Sequence, residues 1–209
     1  MQIIPSINSP TFEEVREKIA KIEPYVLWCH LDVTDGVFSK HLTWHNPQDL
    51  PMLKTKLKLE VHLMIEEPEK AIESWLISPI KRIIIHLEST KDLDFIIDKS
   101  REAGVEIGVA INPETFWGKL KPFLKKVDLV QVLAVNPGPP GQEMQDGILD
   151  KVIHLRKSCP GCHIEIDGGI NPETIKSAYE AGADIFVSGF MFKTGDVEKS
   201  VMGLKRLCA

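Results

Sequence analysis

Short apolar runs recur along the chain, and each is followed by a polar stretch whose hydrophobic positions fall at helical spacing. The runs at Gln2–Ile7, Val26–Val33, Lys58–Ile65 and Arg82–Leu87 predict four strands. Glu106–Ile111, Asp128–Leu133, His163–Asp167 and Ala183–Ser188 predict four more. Thr11-Phe12-Glu13-Glu14 has capping-box spacing and opens a helix with Phe12, Val15, Ile19 and Ile22 on one stripe. Pro47 opens a short helix to about Leu53, and Pro68 opens another. Longer helices are expected at Lys91–Glu102, with Gly104 as its stop, at Gly147–Ser158 and at Asp196–Leu207. The words Ile-Asn-Pro-Glu-Thr occur at 111–115 and again at 170–174. Asn112 and Asn171 stand as N-caps before Pro113 and Pro172, so both copies predict helix starts.

The strands are short and apolar nearly throughout, as strands of a parallel sheet buried on both faces are. Eight strand–helix units without a linker predict an α/β protein, a single (β/α)8 TIM barrel over residues 1–209. A doubly wound open sheet is the alternative. In a barrel the catalytic groups stand at the C-terminal ends of the strands. There this chain has Pro5-Ser6-Ile7-Asn8-Ser9, His30-Leu31-Asp32-Val33-Thr34-Asp35-Gly36, Glu60-Val61-His62-Leu63-Met64 and Glu165-Ile166-Asp167-Gly168-Gly169. His30 and Asp32 share one face of their strand. That pair alone fits a metal or polar-substrate site and a hydrogen-bonded strand end equally well; the other strand ends favour the site.

Two imidazoles and two carboxylates suit one divalent ion, Zn, Fe, Mn or Co. Such an ion polarises a carbonyl and stabilises the enediolate left when the adjacent carbon loses a proton. Asp32 and Asp167 arise on strands two and seven, so they can address a substrate from opposite sides, as inversion of that carbon requires. Glycines follow the last three strands, in Asn136-Pro137-Gly138-Pro139-Pro140-Gly141-Gln142, Gly168-Gly169 and Ser188-Gly189. The loops after strands seven and eight are the usual phosphate site of such a barrel, where backbone N–H groups meet an anion, so the glycines suggest a phosphate end here. Glu165 shares a face with Asp167 and points into the barrel, in a structural role. His86 fits a mouth residue or a bonded strand end, and His154 a helix surface. Trp75 and Trp117 are read as packing. The long loop 34–46 carries His41, Trp44 and His45, suited to a lid or a subunit contact.

With 209 residues, 43% hydrophobic and 26% charged, the chain can bury a full core. A net charge of −5 without a basic run argues against nucleic acid as a partner. No apolar stretch is long enough to predict a membrane span, and the N-terminus lacks a signal's charged region, so a cytoplasmic location is expected. Cys159-Pro160-Gly161-Cys162 has C-x-x-C spacing, but only His163 is near as a further zinc ligand. Two reduced thiols in a surface turn are expected there, with redox chemistry as the lesser reading.

The five segments Pro5–Ser9, His30–Gly36, Val61–Met64, Val135–Gly138 and Asp167–Ile170 together resemble the ribulose-phosphate 3-epimerase family of ribulose-phosphate-binding barrels. The resemblance spans residues 5–192. It implies interconversion of D-ribulose 5-phosphate and D-xylulose 5-phosphate in the pentose phosphate pathway. It implies His30, Asp32, His62 and Asp167 as metal ligands, with Asp32 and Asp167 as the acid–base pair. Ser9, His62, Met64, Gly138, Gly141, Gly168, Gly169, Ser188 and Gly189 are the implied substrate contacts. A homo-oligomer is expected from the same likeness.

Departures from the family cluster at the site. Thr34 and Leu133 stand where the family has methionine, and Thr34 is expected to make the wall more polar. Pro139 and Pro140 replace Phe-Gly, and proline donates no N–H to a phosphate. Phe190 replaces a serine, and His41–Pro47 differs from the usual Asn-Leu-Thr-Ile-Gly-Pro. Two other readings therefore stand beside the first: an epimerase of another ketose phosphate such as allulose 6-phosphate, and a metal-binding homologue retired from catalysis. The related decarboxylase or aldolase branch is disfavoured, because its Asp-x-Lys-x-x-Asp stretch is Glu60–Ile65 here.

Overall fold

The computed structural model describes residues 1–208. Eight parallel strands pair in sequence order: β1 (Gln2–Ile7), β2 (Trp28–Thr34), β3 (Lys58–Met64), β4 (Ile80–His86), β5 (Glu106–Ile111), β6 (Leu129–Leu133), β7 (His163–Asp167) and β8 (Ile185–Ser188). Pairing of β8 with β1 closes the sheet, so the expected (β/α)8 barrel is observed and the open sheet is excluded. The helices are α1 (Phe12–Ile22), α2 (Ile72–Trp75), α3 (Leu93–Glu102), α4 (Ile148–Ser158), α5 (Ile175–Glu180), α6 (Phe190–Thr194) and α7 (Val197–Arg206).

The strand pleat builds two apolar layers. Outward side chains such as Leu31, Val33, Val61, Leu63, Ile83 and Ile85 pack beneath the helices in the main core. Ile4, Ile84, Ala110, Leu129, Ile185 and Val187 form a smaller cluster of their own. Strands buried on both sides read as continuous apolar runs, which is why the sequence pattern located them. Helix starts follow local chemistry. Thr11 accepts the Glu14 N–H at 3.3 Å, and α1 buries Val15, Ile19 and Ile22. Asp92 and Asp196 cap α3 and α7 in the same way. No helix among the described residues is long and apolar enough to cross a membrane.

Three expectations are corrected. The first Ile-Asn-Pro-Glu-Thr copy opens no α-helix; only a 3-10 turn, Trp117–Leu120, lies between β5 and β6. Lys151 Nζ donates to the carbonyls of Asn112, Pro113 and Thr115 at 2.7–2.9 Å, taking acceptors that a helix would need. In the second copy Asn171 Oδ1 accepts the Glu173 and Thr174 N–H groups, and α5 follows. The segment opened by Pro47 is likewise 3-10, Pro47–Met52, with Pro51 inside it withholding an α-helical N–H.

The third correction concerns the cysteines. Cys159 and Cys162 form a disulfide rather than two free thiols, and the Pro-Gly turn brings their Cα atoms to 5.4 Å. That separation lies within bridging range. The bridge sits just before β7, at the end of the barrel away from the strands' C-termini.

Candidate active site

Each strand of the barrel delivers its last inward side chains to one mouth. Register sets who meets whom: Asp32 lies opposite His62, and Leu133 opposite Asp167. One ligand atom each from His30, Asp32, His62 and Asp167 falls within 4.8 Å of the others, a spacing that could hold a metal ion. His30 Nε2 is 3.4 Å from Asp32 Oδ1 and 3.7 Å from Asp167 Oδ2. His62 Nδ1 is 3.7 Å from Asp32 Oδ1 and 3.2 Å from Asp167 Oδ2.

The far nitrogen of each imidazole is already engaged. His30 Nδ1 meets Glu60 Oε1 at 2.6 Å. His62 Nε2 meets His86 Nε2 at 2.8 Å, and His86 Nδ1 meets Glu88 Oε2 at 3.2 Å. This network assigns the tautomers. Glu88 accepts the His86 Nδ1–H, His86 Nε2 accepts the His62 Nε2–H, and Glu60 accepts the His30 Nδ1–H. His30 Nε2 and His62 Nδ1 are thereby left as bare lone pairs facing two carboxylates, and both are buried without a hydrogen-bond partner. Orphaned buried acceptors beside two acids are what a cation site requires, so the residues fit a divalent ion.

The electrostatics agree. Burial opposes charge on His30, but the nearby Asp32 carboxylate, the Glu60 hydrogen bond and Asp167 outweigh it and raise the imidazole well above its usual range. His62 rises in the same way through Asp167 and Asp32. Burial works against the Asp32 carboxylate too, yet His30 and His62 hold it well below the ordinary value. The gap thus favours positive charge, proton or metal. His86 goes the other way: burial lowers it to about 4, which keeps it neutral and able to accept from His62.

Beneath this layer lies a second polar one, unassigned by sequence reasoning apart from Glu165. Glu60 is fully buried and also accepts from Arg82 Nη1 at 2.5 Å. Arg82 continues to Glu106 at 2.7 Å and stacks over Trp28 at 4.5 Å. Gln131 donates to Glu165 Oε1 at 2.9 Å, and burial, reinforced by Glu60, pushes the Glu165 carboxyl well above its ordinary range. Glu165 therefore points inward, as expected. The signal for Glu60 was its i, i+2 relation to His62 and its register opposite His30.

A cavity opens above these four side chains. Its wall includes Asp32, Asp167, Met64, Gly138, Gly141, Gly168, Gly169, Ser188 and Gly189, and also Leu133 and Val187. His30 and His62 lie below it. Ser9 stands apart: it is buried and accepts from Lys18 Nζ at 2.9 Å, whereas Ser6 and Asn8 take the wall positions of that strand end. Thr34 is not on the wall either; its hydroxyl faces Thr43 Oγ1 at 3.4 Å, so the wall is not made more polar there. A Cβ on Gly169 would meet the Met144 backbone nitrogen at 2.4 Å, so the tight turn after β7 excludes a side chain. Lys193 also lines the cavity and was missed, because nothing in its local sequence marks it.

Loop 34–46 is anchored rather than loose. Trp44 is buried between Phe12 and Trp75 and donates to Asp49 at 2.7 Å. Thr43 Oγ1 donates to the Asp32 carbonyl at 2.9 Å, and Phe38 packs on His86 at 4.8 Å. Trp75 is core, as expected, while His154 stacks on Trp117 at 5.7 Å.

The family model described as ribulose-phosphate 3 epimerase matches residues 2–192. A ribulose-phosphate 3-epimerase of Rhodobacter capsulatus is 36% identical over 214 residues, covering 100% of this chain and 93% of its own. One from Schizosaccharomyces pombe is 31% identical, covering 98% of this chain and 92% of its own. A chloroplastic ribulose-5-phosphate-3-epimerase of Arabidopsis thaliana is 34% identical, covering 97% of this chain and 75% of its own. A solved 3-hexulose-6-phosphate synthase superposes with a TM-score of 0.75 at 14% identity over 100% of both chains, a likeness of fold alone.

Proposed function

From the premise that the chain belongs to the ribulose-phosphate 3-epimerase family, an enzyme family of the isomerase class, we propose that it interconverts D-ribulose 5-phosphate and D-xylulose 5-phosphate. The same reading treats residues 1–209 as one barrel domain. The observation that carries it is the pair of carboxylates, Asp32 and Asp167, turned toward each other across two bare imidazole nitrogens at the floor of one cavity.

His30 Nε2, His62 Nδ1 and one oxygen each of Asp32 and Asp167 would hold a divalent ion, Zn, Fe, Mn or Co. When bound, the ion supplies Lewis acidity to the substrate's carbonyl oxygen. The chain's own groups handle the protons. Asp32 Oδ1 and Asp167 Oδ2 are the oxygens turned to the imidazoles. Each carboxylate therefore keeps a second oxygen for proton transfer, so ligation and acid–base duty fall on different atoms. One aspartate takes the C3 proton, and the other returns a proton to the opposite face of that carbon. Met64, Leu133 and Val187 line the wall above and limit water around the transient carbanion. The altered rim, Pro139, Pro140 and Phe190, is the observation that keeps another ketose phosphate as the second reading.

The test is an epimerase assay with metal-supplemented protein on D-ribulose 5-phosphate. Asp167→Asn is expected to fold and to lose about 10²–10⁴-fold in kcat, the scale of one general acid–base group. Wild-type turnover that Asp167→Asn leaves intact would refute the two-acid reading. No turnover on this substrate, with turnover on another ketose phosphate, would establish the second one.

A further inference from the structure

Charge is distributed unevenly around the mouth cavity. Its wall carries two acids, Asp32 and Asp167, at the floor. Among the described residues one cation lines it, Lys193, at the opposite rim where α6 follows β8. Several cations elsewhere on the barrel are ion-paired, among them Lys70, Arg82, Lys91, Lys99, Lys126 and Arg156. Among the described residues no carboxylate lies within ion-pair reach of Lys193. Its Nζ stands 3.5 Å from the point a Cβ on Gly141 would occupy, so the ammonium hangs directly over the loop after β6.

That loop is poorly equipped to bind an anion by itself. Pro137, Pro139 and Pro140 of residues 136–142 have no N–H to offer. Gln142 ties the loop inward by donating to the carbonyls of Asn136 and Pro139 at 2.8 and 2.9 Å. A β6 loop short of donors, with an ammonium free of any ion pair over it, adds recognition by charge to what the backbone N–H groups of the loops after β7 and β8 offer an anion.

We propose that Lys193 is the anion-recognition residue of this site, its ammonium taking the phosphate of a phosphorylated ketose in place of the N–H donors that the prolines withhold. The assignment rests on the sugar-phosphate reading above. It orients the substrate: phosphate at the β6–β8 rim, carbonyl toward the histidines and aspartates. Because an ammonium is a point charge without the fork geometry of a guanidinium, recognition at this rim is salt-sensitive and tolerant of phosphate orientation.

The experiment compares wild type with Lys193→Met, Lys193→Arg and the distant surface control Lys157→Ala, each checked for an unchanged melting profile. Lys193→Met is expected to raise KM for D-ribulose 5-phosphate on the order of tenfold, with kcat held, the scale of one charge-assisted contact at an exposed site. Lys193→Arg restores most of that loss, and Lys157→Ala changes nothing. Wild-type KM rises with added salt, while that of Lys193→Met is flat. Inorganic phosphate, titrated calorimetrically as a probe, binds wild type and loses affinity by the same factor in Lys193→Met. Equal phosphate affinity in the two proteins overturns the proposal, as does no phosphate binding to wild type. Phosphate binding that depends on Lys193, without turnover of D-ribulose 5-phosphate, supports Lys193 while removing the substrate reading.

Discussion

Glu60 holds both His30 and Arg82, and Glu60→Gln separates what it does for each. The carboxylate is fully buried and accepts twice, at 2.6 Å from His30 Nδ1 and at 2.5 Å from Arg82 Nη1. A glutamine of the same shape has one acceptor oxygen, so its NH₂ must face one of two donors. Breaking a buried charge pair by neutralising one partner costs roughly 3–5 kcal/mol. Arg82 keeps Glu106 at 2.7 Å and its stack on Trp28, which favours the lower end, about 3 kcal/mol. For a domain of this size that corresponds to a fall in melting temperature of roughly 6–12 °C. His30 also loses the anion that fixes its tautomer and its aim, which weakens divalent-metal binding by about 10–100-fold. Calorimetric melting of metal-free protein reads the first effect, and competition with a chelator of known affinity reads the second. A melting temperature within about 2 °C of wild type would refute the burial argument. A lowered melting temperature with unchanged metal affinity would leave Glu60 a structural anchor and refute its role in aiming His30.

Two further expectations follow from geometry. Gly169→Ala forces a Cβ to 2.4 Å from the Met144 backbone nitrogen at φ +68°, so it should cost more than about 2 kcal/mol. Gly104→Ala, at φ +67° with nothing within 4 Å, should cost only about 1–2 kcal/mol; equal urea midpoints for the two variants would show that the clash is relieved. Burial disfavours the Glu88 carboxylate, but bonds from His86, Thr115 and Asn112 outweigh it and lower the carboxyl from 4.5 to about 2. A depressed value stabilises the fold above pH 4.5 and is lost as pH falls toward 2. Discounted for partial exposure, the contribution is about 1–2 kcal/mol. Denaturant titrations at pH 7 and pH 3 should show a smaller acid-induced loss in Glu88→Gln than in wild type; equal losses would sink the assignment.

Strand order and the convergence of His30, Asp32, His62 and Asp167 were legible because a closed parallel barrel ties chemistry to strand ends. Each of His30, Asp32, His62 and Asp167 sits within the last few residues of an apolar run. Strand parity also contained Ser6: counting pleats from Ile4 brings Ser6 inward, whereas Ser9 lies beyond the end of β1. What stayed hidden depends on contacts distant in sequence. Identical Ile-Asn-Pro-Glu-Thr words gave two structures because Lys151, some forty residues on, captures the carbonyls of only one copy. The C-x-x-C spacing fits thiols, metal and disulfide alike, and only the turn geometry distinguishes them. Lys193 acquires meaning only when α6 folds back above the loop after β6.

One side chain joins three loops at the mouth. Asn8, just past β1, donates to the Gly138 carbonyl at 3.1 Å and meets His41 Nε2 at 2.9 Å through its own oxygen. Gly138 in turn leaves only 3.0 Å between a would-be Cβ and the His41 Cβ. The loops after β1, β2 and β6 are therefore a single interlocked unit, and substitutions in one change the context of the others. Effects at Asn8, His41 and Gly138 will be strongly non-additive. A mutant library that varies one loop at a time will mostly sample damaged mouths, whereas a library built to reshape substrate range has to recombine all three loops together.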